Sequence, residues 1–249
     1  MQYLYGMHPV MEAIKCGRKF EKVLLKQGLD SRVCHDLLQL MGENGIPYQF
    51  VPVEKLNRIA KGTHQGVVAL TGTVDYVDID TLVAGALART DSPVVMLLDG
   101  VSDVRNLGAI ARSLEVSGGQ GIVLPAKGGA PVNAEAVKAS SGALMRLPCS
   151  KVTSLREAVF CLKDAGFRIV AASEKAEKSM WDADLTGPVA VIMGSEGRGI
   201  SKNMLSLSDE MLKIPQIGEI GSLNVSVASA LIAFEALRQK TIKKKYKEI

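Results

Sequence analysis

Apolar and polar positions follow two different grammars along this chain, and the change falls near residue 77. Over the first part the periodic segments are short. A helix is expected at 9–16 closed by Gly17, a strand at 22–26, and a helix at 31–41 with Ser31 as N-cap and Gly42 as its stop. A strand near 48–51, a helix near 53–60 and a strand at 67–70 complete a small α/β unit. After Pro93 the strands become continuously apolar and the helices longer. The pattern predicts strand 94–98, helix 107–116, strand 122–124, helix 133–140 and helix 155–163 with Ser154 as N-cap. Strands 168–172 and 189–193, a short helix after Ile200, strand 211–214 and a last helix over 225–239 follow. Apolar strands alternating with helices imply a mostly parallel sheet covered on both faces. The expected organisation is a small α/β domain over 1–76, a linker over 77–91 and a larger α/β domain over 92–249.

Composition narrows the class. The 249 residues are 47% hydrophobic and 22% charged, which suits a folded chain that needs no disulfide or metal staple. The longest aliphatic run, 94–98, is too short to span a membrane, so no membrane partner is expected. The start lacks a basic segment followed by an apolar one, and Cys16, Cys34, Cys149 and Cys161 show no regular spacing. A cytoplasmic protein with reduced thiols is the expectation. Most of the net charge of +4 comes from the tail after Leu237, where six Lys or Arg stand against one acid. Such a run suits phosphates and suits a solvated terminus at least as well.

A parallel sheet invites phosphate-binding signatures, and these fail. The first strand of the second domain runs into Asp99-Gly-Val-Ser-Asp, not G-x-G-x-x-G, and no G-x-x-x-x-G-K-[ST] occurs. There is no G-x-S-x-G elbow, and His8, His35 and His64 all fall in the first domain, which removes Ser-His hydrolysis. Cys34-His35 has no partners at ligand spacing, so no metal site is expected.

Three segments at strand C-terminal ends remain, where open α/β sheets bind ligands. The first is Asp103-Val-Arg-Asn-Leu-Gly-Ala-Ile-Ala-Arg112. Leu107, Ile110, Ala111 and Leu114 form its apolar stripe, and Arg112 points off it. The second, Met193-Gly-Ser-Glu-Gly-Arg-Gly-Ile-Ser201, sets three glycines around Glu196 and Arg198, more than a structural turn needs. The third is the Gly-rich loop from Ile214 to Ala230, where Ser222, Asn224 or Ser226 could cap the last helix and free N–H groups could hold an adenosine or carboxylate.

Taken in order, Asn106-x-Gly108-x-x-x-Arg112, Gly194-Ser-Glu-Gly-Arg-Gly-Ile-Ser and Ser222-Leu-Asn-Val-Ser-Val-Ala resemble the three motifs of the SpoU/TrmH family of RNA ribose 2′-O-methyltransferases. Tyr3-Leu-Tyr-Gly-Met-His-Pro-Val-Met-Glu-Ala-Ile and His64-Gln-Gly-Val-Val-Ala resemble the substrate-binding domain of its RlmB-like subgroup, which methylates a guanosine of 23S ribosomal RNA. The resemblance implies a SPOUT-type catalytic domain with a trefoil knot, S-adenosylmethionine as cofactor, ribosomal RNA as partner and a homodimer. It implies active-site positions at Asn106, Arg112, Glu196, Ser222 and Asn224, and cofactor-holding backbone at Gly194, Ile214 and Leu223. No metal is part of this scheme. A guanidinium stays protonated at ordinary pH, so Arg112 is expected to hold phosphate and stabilise developing alkoxide charge. Two alternatives stand beside this: transfer-RNA 2′-O-methylation, and a catalytically inactive ribosome-assembly protein that binds RNA.

Overall fold

Val23, Leu24 and Leu25 are consecutive and all buried, which a strand achieves only when both of its faces are covered. In the computed structural model, which describes residues 3–18, 20–29, 32–60, 62–71 and 74–247, the chain divides into two units between Asp75 and Tyr76. The first contains β1 (Tyr3–Tyr5), α1 (Met7–Lys15), β2 (Phe20–Lys26), α2 (Arg32–Glu43), β3 (Tyr48–Val51), α3 (Val53–Ile59) and β4 (Val67–Thr71). Its four-stranded sheet has the order β1-β4-β2-β3, with β4 antiparallel to β1 and β2, and β3 parallel to β2. Val23 and Leu25 join Val10 and Ile14 of α1 and Leu37 and Met41 of α2 on one face. Leu24 packs with Val51 and Leu56 on the other.

Gly17, at φ +77°, ends α1 as expected: its N–H reaches Ile14 O at 2.9 Å while Arg18 N reaches Ala13 O at 2.9 Å. In α2 the expected stop at Gly42 is corrected, because the helix runs through Gly42 to Glu43. Gly45 takes the left-handed turn at φ +62°, and Ile46 N bonds Met41 O at 2.9 Å. Ser31, expected as the N-cap of this helix, lies outside the described residues.

The second unit contains β5 (Tyr76–Val77), α4 (Ile79–Arg89), β6 (Val94–Asp99), α5 (Val104–Val116), β7 (Gly121–Pro125), α6 (Ala134–Ala139), a 3-10 turn (Ala143–Met145) and β8 (Cys149–Val152). It continues with α7 (Leu155–Asp164), β9 (Arg168–Ala172), β10 (Val189–Gly194), α8 (Lys202–Leu207), β11 (Glu210–Leu212) and α9 (Val225–Lys247). Seven parallel strands run in the order β11-β9-β10-β6-β7-β8-β5. Leu82 and Val83 of α4, Ala158 and Leu162 of α7 and Met204 of α8 cover one face, against Val95, Leu97, Ile169, Ala190 and Ile192. The intervening strand residues Met96, Leu98, Val191 and Met193 are equally buried. On their side α5 packs against α6 and α9. Among the described residues no helix is long and apolar enough to cross a membrane.

The stretch 77–91, expected as a linker, is corrected by this arrangement. Asp78 caps α4 by accepting Thr81 N at 2.7 Å, and Leu82, Val83 and Ala86 enter the core. Its acidic opening is thus a helix cap, and β5 beside it is an edge strand paired with β8.

Candidate active site

The middle of the seven-stranded sheet builds the site. β10 and β6 pair in register so that Gly194 lies beside Asp99, and both strands end together. Each then releases one of the expected segments. After β6, Asp103 caps α5 by accepting Arg105 N at 2.7 Å and Asn106 N at 3.1 Å, which fixes Asn106 in the first turn. Gly108, one turn on, is where α5 touches α6: a Cβ there would lie 2.8 Å from Ala136 O and 2.9 Å from Ser140 N.

After β10, Ser195 and Gly199 exchange backbone bonds of 3.1 and 2.9 Å, closing a turn with Glu196, Gly197 and Arg198 at its tip. Gly197 and Gly199 have φ of +87° and +67°, which side chains resist. The carboxylate of Asp99 anchors the far end by accepting Ser201 N at 2.7 Å. The last segment presents Asn224 as the N-cap of α9, its Oδ1 accepting Ser226 N at 2.9 Å and Ser226 Oγ at 2.5 Å.

Three side chains from these three segments meet. Asn224 Nδ2 donates to Glu196 Oε1 at 2.6 Å and to Asn106 Oδ1 at 3.0 Å, and Asn106 Nδ2 donates to Glu196 Oε1 at 3.0 Å. One carboxylate oxygen thus gathers two amides from positions 90 and 28 residues away in sequence. Bonds to a charged acceptor are stronger than neutral ones, so Glu196 locks the tip of the turn to the starts of α5 and α9.

Beside this cluster lies a cleft of about 450 Å³ lined by Gly194, Glu196, Ile214, Ser222, Leu223 and Asn224, among others. Six of the eight expected site residues therefore line it. Asn106 stands behind it, held through Glu196 and Asn224. Arg112 is on the exposed side of α5, does not line the cleft, and makes no hydrogen bond or ion pair with a described residue. The motif pattern missed Ala172 at the end of β9 and Ser173, Glu174 and Lys175 after it, which also line the cleft. Their signal was positional only, since β9 is another apolar strand whose C-terminal end opens at the same edge.

The cleft is in the size range of small-ligand pockets. Met193, Ile214 and Leu223 give it apolar surface, and the glycine turn and the 214–224 loop give it backbone polar groups. A nucleoside-like ligand suits that mixture.

Comparison with known proteins places these features. Residues 93–234 match the model of the SpoU rRNA Methylase family, and residues 3–77 match a model described as RNA 2′-O ribose methyltransferase substrate binding. The putative TrmH family tRNA/rRNA methyltransferase YacO of Bacillus subtilis is 32% identical over 96% of this chain and 96% of its own. A counterpart in Staphylococcus saprophyticus is 33% identical over 95% of both. Among solved structures, the SpoU methyltransferase AviRb from Streptomyces viridochromogenes, in complex with AdoMet, shares the fold with a TM-score of 0.62 at 24% identity, covering 96% of this chain and 90% of that one. The A. aeolicus TrmH/SpoU tRNA modifying enzyme has a TM-score of 0.57 at 27% identity, over 68% of this chain and 85% of its own.

Proposed function

The chain belongs to the SpoU rRNA methylase family, and from that premise we propose that it methylates the ribose 2′-hydroxyl of a guanosine in 23S ribosomal RNA, with S-adenosylmethionine as donor. The observation that carries the reading is the Asn106–Glu196–Asn224 cluster at the wall of the cleft. It joins all three motif segments at the end of the central strands.

The cofactor supplies, when bound, an electrophilic methyl group on a sulfonium. Gly194, Ile214 and Leu223 are the backbone positions that would hold it, along the apolar part of the cleft. Asn106, Ser222 and Asn224 offer neutral donors and acceptors for positioning a ribose, and alignment of the attacking oxygen is the main task of such a site. Glu196 keeps these groups together. Arg112 cannot act as a base, because its guanidinium stays protonated; its roles are phosphate binding and stabilisation of the developing alkoxide. It is exposed and unengaged in one chain.

A homodimer would complete the site. Val227, Leu231 and Phe234 form an exposed apolar stripe on α9 beside the helix start that carries Asn224, while Ile232, Ala233 and Ala236 fill the core behind it. Light scattering should therefore give twice the 26.6 kDa of one chain. The trefoil knot belongs to the same proposal. The chain reaches the sheet edge at β11 and then returns to pack α9 on α5 and β10.

Ribosomal RNA is favoured by the first unit, which matches the substrate-binding model. Ribose-methylation mapping of total RNA from cells with and without the protein tests this. One guanosine of the large-subunit RNA should lose its 2′-O-methyl group. A lost mark on transfer RNA instead, or no lost mark, would reject it.

A further inference from the structure

The first unit has a sheet edge that its own fold leaves open. β3 is an outer strand, paired on one side only, with β2. Tyr48 and Phe50 project from the same face of it and are 47% and 42% exposed. Their rings meet edge to face with centroids 5.9 Å apart. The register shows why they stay in solvent. Tyr48 lies beside Val23 and Phe50 beside Leu25, residues buried under α1 and α2, so the two aromatics extend that face beyond what the helices cover. Gln49 points to the other face, where Lys22 Nζ donates to its Oε1 at 2.6 Å. The edge thus carries two aromatic rings on one face and an ammonium group on the other.

We propose that this edge is a stacking platform for unpaired nucleotides of the RNA substrate. Bases rest on Tyr48 and Phe50, on the face opposite to Lys22. The inference rests on the reading of the chain as an RNA methyltransferase, and adds where and in what form the RNA is held. Every base has a π face, so aromatic stacking accepts unpaired RNA with little regard to sequence. Bases inside a duplex are already stacked on one another and cannot use such a platform. RNA is the favoured occupant because the strand lies within the 3–77 region that matches the substrate-binding model.

The test is fluorescence anisotropy on the full-length protein with a labelled unpaired RNA of about ten nucleotides, a length typical of stacking-type sites, and with a duplex of the same length. Combined Tyr48→Ala and Phe50→Ala substitution should weaken binding of the unpaired RNA by about thirtyfold, the low end of stacking summed over two lost rings. Duplex affinity and cofactor affinity should stay as in the wild type, and the variant should remain folded with the unfolding midpoint lowered only by the lost ring contact. Tyr48→Phe keeps the ring and should bind like the wild type. Unchanged affinity for unpaired RNA in the folded double variant would overturn the proposal, as would a wild-type preference for duplex. A change in oligomeric mass with unchanged RNA binding would overturn it in favour of a protein docking edge. Failure of the methyltransferase reading shows separately, as absence of S-adenosylmethionine binding by the wild-type protein.

Discussion

Gly194→Ala should weaken cofactor binding and destabilise the second unit together. A Cβ on this residue would lie 2.6 Å from Gly199 O and closer still to Gly199 C and Ile200 N. These are backbone atoms of the turn that folds back on the end of β10, so no rotamer change relieves the clash. The turn must retreat by roughly 1 Å before an ordinary contact of about 3.5 Å is restored. Glu196 rides on it, and its bonds of 2.6 and 3.0 Å to Asn224 and Asn106 do not survive such a shift. Overpacking costs about 1–3 kcal/mol, and loss of these bonds at a partly exposed site adds about 1 kcal/mol. With a typical urea slope of about 2 kcal/mol/M, the unfolding midpoint falls by about 1–2 M. Calorimetric titration with S-adenosylmethionine should show binding weaker by at least about tenfold, equivalent to about 1.4 kcal/mol. Gly218→Ala is the control, because a Cβ there meets nothing within 4 Å. A Gly194→Ala protein with the wild-type midpoint and affinity would refute the assignment of this turn to the cofactor wall.

Three further outcomes follow from the same geometry. Arg112→Ala should abolish methyl transfer with the unfolding midpoint within about 0.5 kcal/mol of wild type, as expected of an unengaged surface residue, and Lys there should rescue poorly for want of a planar fork; near-normal single-turnover rates for the Ala variant would remove Arg112 from the site. A fragment starting at Tyr76 should fold and bind cofactor, whereas one starting at Asp91 loses Leu82, Val83 and Ala86 from the core, at a cost of about 4 kcal/mol; equal circular-dichroism melts for the two would contradict the placement of α4. Glu235 is buried and accepts two bonds from Arg238 at 2.7 and 2.8 Å and one from Gln239 at 2.8 Å, and the Arg238 bonds hold its carboxyl below the usual glutamate range. Its contribution is therefore present above the unfolded value and lost as pH falls through the lowered folded one; Glu235→Gln should cost about 1 kcal/mol at neutral pH and progressively less as pH falls through the lowered folded value, and a pH-independent difference in unfolding midpoint would argue against it.

Much of this architecture was legible because burial leaves a plain imprint. The continuously apolar strands 94–98 and 189–193 became adjacent central strands, and the stripe of Leu107, Ile110, Ala111 and Leu114 is buried while Arg112 is not. The strands the pattern missed, β1, β5 and β8, are short and lie at or next to sheet edges. There one face is half solvated and the apolar alternation fades. The acidic start of α4 looked like a seam because Asp78 and Asp80 signal both a cap and a solvated linker; only the tertiary burial of Leu82 and Val83 decides between them. The last helix was expected to end near 239 and runs to Lys247, its lysine-rich end lacking the apolar stripe that marks a helix in sequence. In the site, Glu196 and Asn224 could be singled out by their company of glycines and by a capping position. Their meeting with Asn106 could not, since it depends on the register that sets Gly194 beside Asp99. The glycine of Asn106-x-Gly108 is explained by helix packing on α6.

Transfer of a labelled methyl group in vitro tests the central claim most directly. Purified protein, methyl-labelled S-adenosylmethionine and separate large-subunit, small-subunit and transfer RNA substrates would be incubated, and the RNA digested to nucleosides. Label should appear in 2′-O-methylguanosine from the large-subunit RNA, and be absent when Asn224 or Arg112 is replaced by Ala. Label on a base, label confined to transfer RNA, or no transfer by a protein that binds the cofactor would contradict it.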